Sequence, residues 1–362
     1  MPFVVTLADA ADAGTVGGKA ASLGELTRAG IAVPPGFAVT TGAFTAAMAA
    51  LDGGGALRAG IGALSAADVA EIARVAARFR RIVAEAPLPS EVTAAITAGY
   101  AALAGAGEER VDVAVRSSAT VEDSAEASFA GLQDTYLGVS GADSVLDHVR
   151  RCWASMYNDE SVAYRRRLGL PEPGVAMAVV VQRMVAPRAA GVMFTRSPVT
   201  GDRSVVAIEG TWGLGSALVS GDVTPDSWVI SKITGEITGR RVSSKAKTHG
   251  YAAGGPPTVS DTPPDLREAP CLNDEEIRAL AAVARRVEAR YGAPQDIEWA
   301  VLDAPFADVP GGPAAPDAPA ESRVVLLQSR PETVWAARDS KPAGAPKPRA
   351  ADHVLALFGK PL

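Results

Sequence analysis

Residues Val113–Tyr136 read VAVRSSATVEDSAEASFAGLQDTY, a short strand followed by a loop of small and polar residues. The alternation of Val113 and Val115 with other residues is typical of a strand with one buried face. The strand leads to Arg116, whose planar guanidinium suits phosphate oxygens. The small residues around Gly131 leave backbone N–H groups accessible to an anion. This stretch predicts a phosphate-binding loop, although a surface loop with a solvated arginine fits it equally well.

Length, charge and cysteine content narrow the class of protein. The chain has 362 residues, of which 48% are hydrophobic, and a formal net charge of −6. This length suits two or three domains of roughly 100–200 residues each, and the charge disfavours a DNA or RNA partner. Cys152 and Cys271 lie far apart without a CxxC pattern, so neither a disulfide framework nor a zinc site is predicted. There is no signal-peptide pattern and no apolar run near the ~20 residues of a membrane span, so we expect a cytoplasmic protein without a membrane partner.

A second glycine-rich turn carries a lysine near the N-terminus. Residues 14–19 read GTVGGK and precede a predicted helix over Ala20–Ala29. This is not a Walker loop, because alanine rather than serine or threonine follows Lys19. A glycine-lysine turn at a helix N-terminus can still hold phosphate. The structural alternative is a capped helix with a solvated lysine.

The next segments predict core helices and the wall of a pocket. Ser144–Leu168 is strongly amphipathic, with apolar residues on one side and an arginine-rich polar face. Val175–Met184 reads VAMAVVVQRM, which predicts a buried strand that ends in polar and flexible side chains. Gln182 and Met184 can line an adenine pocket there. An edge strand passing into a turn is an equally good interpretation. Glu209 ends a later apolar strand, before another glycine-rich turn.

Two later strands place polar side chains on one face. They are predicted over Gln295–Val301 and Val324–Glu332, separated by a Pro-, Ala- and Gly-rich excursion at Asp303–Ser322 that we expect to be loosely ordered. Alternate residues of a strand share a face. Two neighbouring carboxylates repel each other unless a cation lies between them, and oxygen ligands of this kind suit Mg²⁺. The face predicts a metal and phosphate platform, or alternatively a solvent-facing sheet with a surface ion pair. Its polar residues are Asp296, Glu298, Gln328 and Arg330.

Seven motifs, in chain order, resemble the N-terminal nucleotide-binding part of phosphoenolpyruvate synthase, pyruvate phosphate dikinase and rifampin phosphotransferase. They are GGKAASLGEL, VAVRSSATVEDSAEASFAGLQDTYL, VVVQRMV, AGVMFTRSPVTG, EGTWGLGSALVSGDVTPDSWVI, DIEWAV and LLQSRPETV. The resemblance covers roughly residues 10–335. It implies an α+β, ATP-grasp-like fold in which two lobes hold ATP and Mg²⁺. We assign residues 1–184 to the first lobe, 185–336 to the second lobe and 337–362 to a linker-like tail.

The resemblance also implies a role for each candidate residue. Those expected to bind the polyphosphate and act in catalysis are Lys19, Arg116 and Arg330. The loop around Gly131 and Thr135 would close on the phosphates. The residues implied for the adenine pocket are Gln182, Met184 and Val185, with Glu209 near the ribose. The implied Mg²⁺ ligands are Glu298 and Gln328, with Asp296 beside them. The excursion at Asp303–Ser322 lengthens the gap between these ligands and leaves their pairing register open.

In the full-length family, ATP phosphorylates a histidine on a swivelling domain, which then serves an acceptor on a third domain. The histidines of this chain, His148, His249 and His353, have no Ser-His-Ala type setting. We therefore expect a separately encoded ATP-binding subunit, as in phenylphosphate synthase, or a piece of a longer enzyme. A histidine-bearing subunit would be its partner, a small-molecule acceptor would bind to that partner, and AMP and phosphate would be the nucleotide products. The rival functions are a self-contained kinase or ligase and a non-catalytic ATP-binding regulatory subunit.

Overall fold

Two antiparallel sheets, each covered by helices, carry the residues of interest. The computed structural model describes residues 1–104, 110–120, 134–172, 175–251, 255–306 and 319–335, and the backbone of residues 123–124 and 127–128. The mixture of helices and antiparallel sheets confirms the predicted α+β class. Within the described ranges, no helix is both long enough and apolar enough to cross a bilayer.

The elements alternate along the chain. The strands are β1 (Val4–Thr6), β2 (Gly36–Val39), β3 (Asp112–Ala119), β4 (Asp123–Ser124), β5 (Ala127–Ser128), β6 (Thr135–Ser140), β7 (Met177–Arg183), β8 (Ala189–Phe194), β9 (Val205–Trp212), β10 (Asp226–Ser231), β11 (Ile237–Arg241), β12 (Lys247–Gly250), β13 (Thr258–Asp261), β14 (Gln295–Val301) and β15 (Val324–Pro331). The helices are α1 (Ala13–Arg28), α2 (Thr41–Leu51), α3 (Ala56–Gly62), α4 (Val69–Glu85), α5 (Ser90–Ala104), α6 (Ala142–Ser155), α7 (Asp159–Leu168), α8 (Ser216–Val219) and α9 (Asp274–Tyr291).

The first sheet has the strand order β1-β2-β7-β3-β6. Its central strand β7 is an almost continuous apolar run and is buried on both faces, as expected for a strand that is covered on both sides. Val179 and Val181 join the large core formed with α2, α4, α5 and α6. Val180 points to the opposite face, where it packs with residues of α1. The alternation of valines therefore anchors helices on both sides of this sheet.

The second sheet has the order β11-β10-β9-β8-β14-β15. One face packs against α9, with Ile297 and Trp299 of β14 buried against Ile277 and Leu280 of the helix. Asn273 and Glu276 start α9 with a capping box, which satisfies backbone N–H groups of its first turn. Asp296 and Glu298 alternate with these buried residues. Both carboxylates therefore lie on the face of the sheet opposite α9.

Helix α1 connects the two sheets. It is interrupted at Gly17, which has φ 76° and ψ 165°, a conformation essentially restricted to glycine. The close approach to β3 also requires glycine there, because a Cβ at Gly17 would lie 2.0 Å from the carbonyl oxygen of Ser118. Further along the helix, the Ser22 hydroxyl donates to the Ser329 carbonyl of β15 over 2.7 Å, and Leu26 joins the core of the second sheet.

The amphipathic segment Ser144–Leu168 forms two helices, α6 and α7. The chain turns after α6, where the Tyr157 N–H donates to Ala154 rather than to a carbonyl four residues back. Helix α7 then begins after Asn158, with Asp159 and Glu160 in its first turn. Asparagine before a helix and acids in its first turn are typical start signals.

Candidate functional site

A cavity of about 460 Å³ lies where β3, β6 and β7 of the first sheet face β8, β14 and β15 of the second. Six of the predicted site residues contribute to its wall, namely Arg116, Thr135, Gln182, Met184, Val185 and Glu298. Ligand sites of this size are typically apolar with a few polar groups that fix orientation. Most of this wall is apolar, and its charged residues are Arg116, Glu298 and, beside Met184, Arg183.

Arg116 bridges the two sheets. Its Nη2 donates to Glu298 Oε2 over 3.0 Å and to Gln328 Oε1 over 2.8 Å, and its Nη1 donates to the Leu327 carbonyl over 2.9 Å. The side chain is only 12% exposed. Bonds from a guanidinium to a carboxylate are among the stronger hydrogen bonds of proteins. The predicted phosphate-binding arginine therefore lies against both residues predicted to bind Mg²⁺.

The strand register confirms the shared polar face and settles the pairing that the excursion left open. Glu298 pairs with Gln328 on β15 and with Val192 on β8, and Val192 in turn pairs with Glu209 on β9. Directly paired residues of antiparallel strands point to the same face. Glu209, Glu298 and Gln328 therefore lie in one row across the second sheet. Residues 307–318 of the excursion lie outside the described ranges.

A second row, two residues before Glu298 on β14, joins Asp296 to Arg330. Arg330 Nη2 lies 3.5 Å from Asp296 Oδ2, and Arg330 is exposed. The pKa of Asp296 is raised to about 6, chiefly by burial and less by the neighbouring Glu332 carboxylate, while Arg330 acts in the opposite direction. Among the described residues, Asp296 Oδ1 is one of the few buried polar atoms without a hydrogen-bond partner. A buried, unsatisfied carboxylate oxygen is a ready position for a proton or a cation.

These donors suit Mg²⁺ held jointly with a phosphate, rather than a cage made only of protein ligands. In the part of the chain that is described, no three His, Cys, Asp or Glu residues converge on one point. Mg²⁺ usually binds one or two carboxylates together with waters and substrate phosphates. The carboxylates of Asp296 and Glu298 and the amide oxygen of Gln328 meet this requirement, and the orphaned Asp296 Oδ1 is consistent with it.

The apolar end of the cavity includes the segment predicted for adenine. Gln182 is buried, and its Nε2 donates to the Pro34 carbonyl over 3.0 Å. The Met184 N–H donates to the Asp112 carbonyl over 2.8 Å, so the chain leaving β7 is held against the start of β3. Val185 packs beside Ala190 in a small apolar cluster. This wall can receive a flat, apolar ring.

The cavity wall, as the described residues form it, does not include Asp296, Gln328 or Arg330. Thr135 is in this wall and pairs with Arg116 across β3 and β6. Lys19 is half-buried on α1, just after the break at Gly17, and the described cavity wall does not include it. Glu209 is half-buried beside Val192, which does line the cavity. Gly131 lies outside the described residues.

Ser216, which was not among the residues predicted from the sequence, lines the same cavity. Its Oγ lies 2.9 Å from Nδ1 of His249, a residue of β12. The strand reaches the cavity because His249 forms a bridge with Gly213, and because the Leu214 N–H donates to the His249 carbonyl over 2.8 Å. No local pattern in the sequence indicates this pairing, since 33 residues separate Ser216 from His249.

Comparisons with known proteins bear on the family of this chain. A family model described as "Pyruvate phosphate dikinase, AMP/ATP-binding domain" matches residues 13–350. The chain is 47% identical over 302 residues to a rifampicin phosphotransferase of Streptomyces sp, covering 82% of this chain and 34% of that protein. It is 42% identical over 323 residues to a probable phosphoenolpyruvate synthase of Methanothermobacter thermautotrophicus, covering 89% of this chain and 44% of the relative. It is 38% identical over 357 residues to a phosphoenolpyruvate synthase of Aeropyrum pernix, covering 91% and 42%. The chain thus matches between a third and a half of the length of these relatives.

Proposed function

The chain belongs to the family of the pyruvate phosphate dikinase AMP/ATP-binding domain, and from this premise we propose that it binds Mg-ATP in the cavity between its two sheets for phosphotransfer. The observation that carries the proposal is the polarity of the cavity. Arg116 and Glu298 lie at one part of the wall, and Met184, Val185 and Leu214 form an apolar part, at whose edge Arg183 precedes Met184. ATP has the same division between a charged polyphosphate and a flat base.

We also propose how the chain divides into lobes. We assign an ATP-grasp-like arrangement, with residues 1–184 as the first lobe, 185–336 as the second and 337–362 as a linker-like tail. The strands of the first sheet end at Arg183, and those of the second begin at Ala189, which supports a boundary near residue 184. Because α1 packs on both sheets, a change in the angle between the lobes would also shift Lys19.

At the phosphate end, the proposed roles follow from charge. Arg116 and Arg330 would neutralise the polyphosphate, and Lys19 would approach it from α1. Asp296, Glu298 and Gln328 would hold Mg²⁺, which when bound supplies further charge neutralisation to the phosphates. Arg116 would exchange its bonds to Glu298 and Gln328 for bonds to phosphate oxygens. Positioning and electrostatic stabilisation provide most of the rate in phosphoryl transfer.

At the base end, Gln182, Met184 and Val185 would surround adenine, and Glu209 would face the ribose. Thr135 and the loop around Gly131 would close over the phosphates. The acceptor would be a histidine on a separate swivelling-domain partner, with AMP and phosphate as nucleotide products. That partner would pass the phosphate to a small molecule, such as a phenol-like compound or pyruvate. The two buried free cysteines are compatible with the cytoplasm.

The test combines binding with transfer. We would titrate the purified chain with Mg-ATP by calorimetry, then incubate it with β-labelled ATP, with and without a histidine-bearing swivelling domain supplied as a second protein. Acid-labile label on that second protein, together with AMP, is the expected result. Glu298→Gln and Arg330→Ala should each abolish the transfer while the circular dichroism spectrum stays unchanged. Full activity in either variant would overturn the site assignment.

Two other outcomes would overturn the dikinase proposal itself. Phosphorylation of a small molecule by this chain alone would indicate a self-contained kinase or ligase. Binding of ATP without turnover, whatever histidine-bearing protein is supplied, would indicate a regulatory ATP-binding subunit.

A further inference from the structure

Three side chains form a hydrogen-bonded chain at the apolar part of the cavity. Ser216 Oγ lies 2.9 Å from His249 Nδ1, and His249 Nε2 lies 3.1 Å from Asp222 Oδ2. The three residues come from α8, the turn after it and β12. His249 is nearly buried, whereas Asp222 is exposed. The roles assigned to the other cavity residues do not use this chain of contacts.

The direction of these hydrogen bonds follows from Asp222. An ionised carboxylate can only accept, so His249 must donate from Nε2. With His249 neutral, Nδ1 is then an acceptor, and the Ser216 hydroxyl donates to it. The hydrogen bond from Ser220 lowers the pKa of Asp222, with a smaller effect from His249, which keeps this carboxyl ionised at neutral pH. The only hydrogen of the Ser216 hydroxyl is thereby committed, and its lone pairs remain as acceptors at the cavity wall.

The position of Ser216 along strand β8 indicates which part of a nucleotide it would face. A Cβ at Gly215 would lie 3.8 Å from Cβ of Ala190, so the residue before α8 lies against the beginning of β8. At the other end of that strand, Phe194 pairs with Asp296. With a rise of about 3.3 Å per residue, Ala190 is about 13 Å from Phe194 and about 7 Å from Val192, which pairs with Glu298. The base and ribose of a nucleotide with its phosphates near Asp296 would therefore lie beside Ser216.

From this arrangement we propose that Ser216 is a specificity-determining residue, which accepts a hydrogen bond from the nucleoside part of ATP. The inference rests on the proposed function of the cavity. The donor is the exocyclic amino group of adenine or a ribose hydroxyl, since these are the hydrogen-bond donors of that part of ATP. A ligand without the donor would leave the acceptor of Ser216 unpaired. Loss of one such bond weakens binding by about 3- to 15-fold.

The test measures discrimination between ligands rather than affinity alone. We would determine the Kd of ATP, purine riboside triphosphate, 2′-deoxy-ATP and 3′-deoxy-ATP by calorimetry in the presence of Mg²⁺. Wild type should bind one of the three analogues about 3- to 15-fold more weakly than ATP, and the analogue concerned identifies the donor. In Ser216→Ala, ATP and that analogue should bind with nearly equal affinity.

A matched control is available in α6. Ser144 Oγ lies 3.4 Å from His148 Nδ1, so Ser144→Ala removes a serine hydroxyl beside a histidine away from the cavity. This variant should leave the ratio of the analogue Kd to the ATP Kd as in wild type. The inference is overturned if Ser216→Ala discriminates as wild type does, or if wild type binds all four ligands equally. Failure of wild type to bind ATP would instead overturn the proposed function, and the inference with it.

Discussion

Arg116 of β3 and Glu298 of β14 form a 3.0 Å ion pair that joins the two sheets. The same guanidinium group donates to Gln328, the neighbour of Glu298 across the strand pair. One cation of the chain thus lies where the sequence predicts a metal ion. Since Glu298 is 37% exposed, the pair is accessible from solvent, and a second cation can compete with the guanidinium.

The first prediction concerns this competition. Without nucleotide, Mg²⁺ should stabilise Arg116→Met more than wild type, because the variant lacks the positive group that contacts Glu298 and Gln328. At about ten times its Kd, a ligand adds about 1.4 kcal/mol to the free energy of unfolding. The increase in Tm on addition of MgCl₂, measured by calorimetry, gives the comparison.

The control for this experiment is Lys232→Met, which removes an ion pair with Glu288 outside the cavity wall. It should lower stability but leave the response to Mg²⁺ as in wild type. Equal responses of Arg116→Met and wild type would contradict competition between Arg116 and the metal.

The second prediction concerns pH. Since the pKa of Asp296 is raised to about 6, the folded state binds the proton more tightly than the unfolded chain does. The stability due to this carboxyl is therefore full below its ordinary pKa and decreases as the pH rises from about 4 to 6. Asp296→Asn should raise the free energy of unfolding by about 1–2 kcal/mol at pH 7.5, allowing for partial exposure, and by much less at pH 4.5. Urea denaturation at both pH values measures this difference.

Asp202 is an exposed carboxyl whose pKa shift has the opposite sign, and it serves as a control. Hydrogen bonds from Ser204 lower the pKa of Asp202, so its stabilising contribution is present at neutral pH and is lost on acidification. Asp202→Asn should therefore reduce stability at pH 7.5. A gain from Asp296→Asn that is the same at both pH values would show that burial of the charge is not the cause.

The third prediction concerns Gly17. Alanine there would need a conformation restricted to glycine and would place its Cβ 2.0 Å from the Ser118 carbonyl oxygen. We expect Gly17→Ala to cost about 3–5 kcal/mol of the free energy of unfolding. Gly30 also has a positive φ, of 69°, but no atom lies within 4 Å of its Cβ position. Gly30→Ala should cost only about 1–2 kcal/mol, and similar losses in denaturant titrations of both variants would rule out the steric contact with β3.

The fourth prediction concerns a fully buried ion pair between Lys245 and Asp226, which meet over 2.7 Å. Asp226 also accepts from the backbone N–H groups of Ser243 and Cys271. Lys245→Met would leave a buried carboxylate without its cation and should cost about 3–5 kcal/mol. Adding Asp226→Asn should recover part of the loss in urea denaturation, because a neutral amide oxygen still accepts from the backbone. A double variant as unstable as Lys245→Met would indicate a packing defect instead.

The strands and the direction of their polar residues could be predicted because they depend on local alternation. Asp296 and Glu298 share a face since they are two residues apart on one strand, and the buried Ile297 between them shows which face that is. The helix after Lys19 was also predicted, but α1 begins at Ala13 rather than Ala20, and the predicted turn is an interruption of the helix at Gly17. The break between α6 and α7 could not be predicted, because the apolar spacing continues across it.

The contacts that make the site depend on the tertiary structure alone. Arg116 and Glu298 are 182 residues apart in the sequence. The guanidinium, rather than water, donates to that carboxylate only because the two sheets face each other. The chain from Ser216 through His249 to Asp222 likewise requires β12 to be held at Gly213. The sequence by itself determined which residues are polar, cationic or apolar, and to which face of a strand each belongs. Their partners follow from packing between distant segments, which no local periodicity encodes.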